Sequence, residues 1–355
     1  MSWLNNNIAN SILTHRRPIY RPSLTIAQRV IDAIVANASR YETETGEALI
    51  GMALPRKGDN AAIDPDLVVL DTIAPDASVI QTSVYFEQGD YLQDDTFAWL
   101  SANWNDMRKR PESKPEERWN TPLIHLGDWH KHPGMLVEPS IGDSHTAVDL
   151  IFDRDIQRPY VLAILATIWE RESAYKSVQD LINVPIKNGT PLVVDLPADP
   201  TLAVRIDCWY LSRQTRIFVR IDPTVVPNNA LPTLPIVGWH LRDTKRVWRE
   251  YDAFRSAGYS IQFDEHDTDG IPPRELCFTL ISTDERSGWI IVTSADYPAQ
   301  PPILRRISTE ALGTLSTDRP AFDQLWPHSV PVPPAELPPW QPDRLLVTLL
   351  NLHTP

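Results

Sequence analysis

Gly127-Asp128-Trp129-His130-Lys131-His132-Pro133-Gly134-Met135-Leu136-Val137-Glu138-Pro139-Ser140-Ile141-Gly142-Asp143 is the stretch that decides how this chain is read. Nine histidines are spread over 355 residues, yet His125, His130, His132 and His145 fall within one short window. Residues 123–132 have the composition of a strand, and positions i and i+2 of a strand share a face, so His130 and His132 can reach one metal ion. Pro133 ends the strand, residues 133–139 are long enough to fold back, and Asp143 opens the next helix as a third donor. Two imidazoles and one carboxylate leave a coordination position open, the catalytic rather than the structural form of a zinc site. Spacing alone leaves other transition metals open. Two plainer readings stand beside this one: Ser140 to Asp143 also matches an ordinary helix start, and a His-x-His pair is a common surface feature.

An acidic element lies upstream, Glu44-Thr45-Gly46-Glu47-Ala48-Leu49-Ile50-Gly51, after a first helix and entering a strand. That helix is expected to be capped by Ser23 and to bury Ala27, Val30, Ile31 and Ile34. Short apolar runs at 48–54, 67–70 and 83–86 predict strands. A polar helix is expected over 94–110, a helix over 146–152, an apolar strand over 160–168 and a hairpin of 205–210 with 217–221. Residues 223–235 carry four prolines without periodicity and read as linker, with the boundary itself placed at 228–238.

With these residues in place, the chain resembles the JAMM (JAB/MPN) metallopeptidases, whose pattern is a distant Glu, then His-x-His, seven residues, Ser, two residues and Asp. Glu44, His130, His132, Ser140 and Asp143 reproduce that spacing, and Gly127-Asp128-Trp129 looks like the bacterial, deubiquitinase-like branch. The resemblance covers residues 20–227 and implies an α/β domain, a mixed sheet flanked by helices. It implies Zn2+ held by His130, His132 and Asp143, with Glu44 as general base and Ser140 donating a hydrogen bond to the oxyanion of a peptide or isopeptide. Two residues depart from the family: Glu47, where a second glycine is common, and Lys131, where a small hydroxyl residue is common. Glu47 competes with Glu44 for the base assignment, which stays with Glu44 because it sits two residues before Gly46 as in the family; Lys131 is expected to point to the strand face opposite the ligands and to alter the rim rather than the metal. Asp128 and Glu138 are candidates to hold a ligand imidazole from behind, while His125 and His145 fall outside the motif. Neither a Gly-x-Ser-x-Gly turn nor a His-Glu-x-x-His helix occurs.

Residues 239–355 predict an α+β domain: a helix over 241–257 ended by Gly258, strands at 260–263, 276–281 and 289–293, and a last helix at 343–352. Asp296-Tyr297-Pro298-Ala299-Gln300-Pro301-Pro302, followed later by Trp340-Gln341-Pro342, resembles the ubiquitin-conjugating fold and its inactive variants. A conjugating enzyme carries its thioester on a cysteine after this motif, and none occurs from 303 to 355. Cys277 falls inside a predicted strand and Cys208 in the first domain. The joint resemblance implies a ubiquitin-like protein as substrate, matured or deconjugated, with this domain gripping the partner. It further implies an activating or conjugating enzyme of the same operon, in a bacterial setting such as phage defence. The alternatives are a metal-free MPN-type scaffold in such a pathway and a zinc peptidase acting on an unrelated protein.

Composition bounds these readings. Hydrophobic residues make up 42% and charged residues 22%, the mix of a chain with a real core, and 33 prolines against 13 glycines indicate short elements joined by stiff loops. The net charge of −13 repels nucleic acid and anionic lipid as principal partners. Residues 160–169, the longest nearly apolar run, fall short of the ~20 residues a bilayer requires. Residues 1–19, an N-terminal extension, lack the charged start and apolar run of a signal peptide. Two cysteines provide no disulfide framework. A cytoplasmic protein of two domains is expected.

The missing cysteine makes a direct prediction. Incubated with ATP, an activating enzyme and a ubiquitin-like protein, the chain should form no thioester. A reducible adduct at Cys277 on a non-reducing gel would overturn the binding-only reading of the second domain.

Overall fold

The computed structural model describes residues 22–56, 65–76, 80–81, 86–87, 91–153, 159–182, 189–284, 287–313, 315 and 321–350. The expected extension 1–19, most of the strand expected at 83–86 and the end of the last helix lie outside the described residues. The chain falls into two compact units, residues 1–97 with 115–233 and residues 98–114 with 234–355, and both mix helices with sheet.

In chain order the first unit is built from β1 (Leu24–Ala27), α1 (Gln28–Arg40), β2 (Gly46–Leu54), β3 (Asp66–Ile73) and a ribbon of β4 (Ile80–Gln81) with β5 (Phe86–Glu87). There follow α2 (Tyr91–Lys109), which continues into the other unit, β6 (Ile124–Lys131), α3 (Ile141–Phe152), β7 (Tyr160–Glu170) and α4 (Arg171–Ile182). The unit closes with β8 (Leu192–Leu196), β9 (Asp199–Ser212), β10 (Val219–Arg220) and β11 (Pro223–Val226). The sheet runs β10-β9-β7-β6-β2-β3-β1-β11, with β8 also on β9. β6 lies parallel to β7, and β1 lies parallel to β3 and β11; the other pairings are antiparallel. Helix α1 buries Val30, Ile31, Ile34, Val35 and Ala38, the 3-to-4 spacing of a one-faced helix.

Ser23 does not cap the first helix; its hydroxyl is hydrogen-bonded to Asp66, and Leu24–Ala27 is a strand inserted between β3 and β11. Pro223–Val226, expected as linker, is that edge strand β11, where a proline is tolerated at the first position.

The β2–β6 pairing carries a bulge. Leu49 pairs with Gly127 and Ile50 with His125, leaving Leu126 as the extra residue of β6. Gly127 has φ +143°, and a Cβ there would lie 1.9 Å from the Leu162 carbonyl oxygen on β7. Only glycine fits this position.

The second unit begins with residues 98–114, which the sequence places in the first domain. Trp99 Nε1 donates to the Ile236 carbonyl (3.0 Å), the Arg274 N–H donates to Asn103 Oδ1 (2.6 Å), and Arg274 pairs with Asp106 at 2.9 Å. The expected helix over 241–257 is two helices, α5 (Trp239–Arg242) and α6 (Thr244–Ser256), because the Asp243 side chain accepts the Arg246 N–H and caps the second. Gly258, at φ +83°, follows the end of α6. An antiparallel sheet follows in the order β12 (Tyr259–His266), β13 (Glu275–Ser282), β14 (Gly288–Thr293), β15 (Ile303–Ile307) and β16 (Ser329–Pro331). Phe254, Phe278, Trp289, Ile291 and Tyr297 fill one side of that sheet, and Cys277, Ile290, Val292 and Phe322 fill the other. The motif residues Tyr297 and Trp340 lie 5.6 Å apart, and the Trp340 indole N–H donates to the Pro298 carbonyl.

Gly127→Ala should lower stability by more than about 2 kcal/mol, because strain and overpacking act together. A urea midpoint equal to wild type would show that β6 does not need this glycine.

Candidate metal centre

His130 in β6 and His132, one residue past its end but still bonded to β7 through its N–H to the Ala166 carbonyl (2.9 Å), point to one side of the sheet, as alternation requires. His130 Nε2 and His132 Nε2 stand 2.9 Å apart. Asp143 meets them from the first turn of α3, with Oδ1 3.4 Å from His130 Nε2 and Oδ2 3.2 Å from His132 Nε2. Four-coordinate zinc, with bonds of ~2.0–2.1 Å, sets its ligand atoms about 3.3 Å apart. The donor set therefore fits that ion in both chemistry and spacing, and among the described residues it is the group of His, Cys, Asp and Glu close enough to hold a metal.

The helix-start reading of Ser140–Asp143 is seen in the structure, and it is compatible with a ligand role for Asp143. Ser140 is the N-cap of α3: its Oγ accepts the Asp143 N–H (3.1 Å) while its own N–H donates to Asp143 Oδ2 (2.6 Å). This capping box locks the carboxylate that faces the imidazoles.

Glu44 enters from the segment between α1 and β2. Gly46 pairs with His130, so Glu44, two residues earlier, falls on the imidazole side. Its carboxyl interacts electrostatically with His130, His132 and Asp143. Burial raises its pKa, aided by Asp143 and opposed by the two imidazoles. Glu47 is on the opposite side, buried, accepting from Asn37 Nδ2 (2.7 Å) and Trp129 Nε1 (3.1 Å). These bonds tie α1 to β6, and the geometry leaves Glu44 as the acid beside the ligands.

The remaining expectations divide. Asp128 does not support a ligand imidazole; it bonds His125 at 3.0 Å. Glu138 interacts with Arg220 instead. The Leu136 carbonyl supports His132 by accepting from Nδ1 (3.0 Å), which presents Nε2 to the metal position. Trp209 Nε1 donates to the Val137 carbonyl (3.1 Å) and pins the same loop. Backbone acceptors leave no residue-type signature, so neither contact had a signal in the sequence. His145 is exposed. Lys131 points to the face opposite the imidazoles, as expected, but there it does not form the rim: its ammonium donates to the Tyr41 carbonyl.

Burial opposes charge on His132, but the hydrogen bond and charge of Asp143, helped by the Leu136 carbonyl and Glu44, hold its pKa above the usual 6.5. Burial likewise opposes charge on Asp143, but hydrogen bonds from both imidazoles and Ser140 hold its pKa well below the usual carboxylate range.

Compared with known proteins, the chain matches no family model and no curated sequence. Among the described residues, no helix is long and apolar enough to cross a membrane.

About one zinc per chain should copurify or reconstitute, and His130→Ala or Asp143→Ala should abolish stoichiometric binding, since two ligands are too few for an open site. Full occupancy in His130→Ala by metal analysis would exclude this ligand set. Zinc must displace the proton from His132, so apparent affinity should fall as pH drops through its raised pKa. In the metal-free chain the sign reverses. A raised imidazole pKa stabilises the fold below about pH 6.5 and loses that contribution as pH rises through the folded value. Chemical denaturation of metal-free protein between pH 5 and 8 checks this, with flat stability counting against the His132–Asp143 coupling.

Proposed function

We propose that the chain is a zinc-dependent peptidase or isopeptidase of the JAMM type, cleaving after the C-terminal tail of a ubiquitin-like protein. The observation that carries the reading is the convergence of His130, His132 and Asp143 with Glu44 beside them. Three protein donors and a nearby acid that is not needed as a ligand are the parts of a hydrolytic centre.

Bound zinc supplies a Lewis acid and lowers the pKa of water at the open position. Glu44 takes the proton from the attacking water and delivers it to the leaving amine. Its raised pKa suits that exchange, because a base nearer neutrality both accepts and returns a proton readily. Ser140 donates its hydroxyl hydrogen to the carbonyl oxygen as negative charge develops there. Met135 and Ile141, 62% and 79% exposed, lie within three residues of ligand positions and offer apolar surface to an extended peptide.

The second unit is assigned a gripping role, in the manner of an inactive conjugating-enzyme fold. Its antiparallel sheet, the Tyr297–Trp340 contact and the buried Cys277 support that assignment. Burial pushes the Cys277 thiol well above the ordinary range, the reverse of what a thioester carrier needs.

Glu44→Gln should retain zinc yet lower cleavage of a ubiquitin-like protein bearing a C-terminal peptide extension by about 10²–10⁴-fold. Product formation is read by mass spectrometry on zinc-loaded full-length chain. Undiminished cleavage in this variant removes Glu44 from the base role, and no cleavage by wild type sinks the peptidase reading.

A further inference from the structure

Lys131 stands between the two imidazole ligands in sequence but points away from them. Its side-chain ammonium donates to the carbonyl of Tyr41, the C-cap residue of α1. Its backbone N–H donates to the carbonyl of Thr45 at 2.7 Å. One residue therefore holds both ends of the segment 41–45, and Glu44 lies between the two attachments.

The physical setting explains why a lysine stands here. The last carbonyls of a helix lack intrahelical partners and carry the negative end of the helix dipole, which favours a cation at that end. Lys131 supplies both the donor and the charge, with the Glu42 carboxylate as a further electrostatic neighbour. The segment must carry the chain from the face where α1 and Glu47 meet Trp129 to the face of His130 and His132. A small hydroxyl side chain at 131 is too short to span from the strand to the helix end.

We infer that Lys131 is a positioning residue, clamping the segment 41–45 so that Glu44 is held over the metal ligands. This rests on the peptidase reading only for its catalytic consequence; the clamp itself is a property of the fold. It makes the middle residue of His130-Lys131-His132 part of the base's support rather than a bystander between ligands.

The test uses the full-length chain as wild type, Lys131→Met and Lys131→Arg. Lys131→Met keeps the length of the stem and removes the donor, while Lys131→Arg restores a cationic donor. Zinc content should remain at about one per chain in all three, because no ligand changes. Amide hydrogen exchange over 42–45 should rise about tenfold in Lys131→Met, as expected when a segment loses one of two anchors. On the extended ubiquitin-like substrate, kcat should fall about 10–100-fold with KM changed less than about twofold, the mark of a misplaced reacting group. Lys131→Arg should recover most of both. Unchanged exchange in Lys131→Met, unchanged kcat despite faster exchange, or a Lys131→Arg variant no better than Lys131→Met would each overturn the clamp. Exchange needs no substrate, so a wild type that cleaved nothing would count against the peptidase reading while the clamp is still decided by exchange and its rescue.

Discussion

Strand β6 is hydrogen-bonded along both edges, antiparallel to β2 and parallel to β7. A strand held on two sides cannot slip by one residue without turning every side chain to the wrong face. The register of Gly46 against His130, and of His130 against Leu165, is what places Glu44 and the two imidazoles on one side of the sheet. The bulge at Leu126 and the positive φ of Gly127 are local consequences of keeping that register on both edges at once. Opposite the imidazoles, Glu47 links α1 to Trp129, and Lys131 links the end of α1 to the strand. The two imidazoles lean on bonds made behind them.

Asp143 shows how a helix start can serve two purposes. A carboxylate at the third position of α3 is favoured by the dipole and by the Ser140 N–H. The same bond fixes the side-chain rotamer, so the carboxylate meets the imidazoles without further ordering. The Leu136 carbonyl performs the matching service for His132. A metal ion bound by His130, His132 and Asp143 would cost little conformational freedom, because those three side chains are already oriented.

The second unit has its own organising group. Glu250, with no exposed surface, accepts from Arg246 Nε (2.7 Å), the Tyr297 hydroxyl (2.6 Å) and the Leu346 N–H (2.7 Å). Those bonds join α6, the Tyr-Pro motif and the start of the final segment around the buried Arg246–Glu250 ion pair. Removing one member of such a network leaves the others buried and unpaired, which makes the arrangement all-or-none. Of the motif's prolines, Pro302 is buried and Pro298 half-buried, its carbonyl accepting from the Trp340 indole, while Pro301 is exposed.

The sequence by itself determined the donors and their order: two imidazoles at i and i+2, a hydroxyl and a carboxylate at a helix start, and an acid two residues before Gly46. Each of these is a local relation, written as spacing within one strand, one helix turn or one strand entry. It also determined that Cys277 would be buried, from the apolar strand around it. The odd spacing of Glu44 and Glu47 puts them on opposite sides, and the pairing of β2 with β6 in the tertiary structure decided that the side of Glu44 is the one that faces the imidazoles. Tertiary structure also decided that Leu24–Ala27 and Pro223–Val226 are neighbouring strands, and that residues 98–114 pack with the second unit. The contacts of Lys131 with Tyr41 and of His132 with Leu136 belong to the same group. Periodicity records which face of an element is buried; the identity of a partner contributed by a distant segment, above all when that partner is a backbone carbonyl, leaves no mark in the spacing.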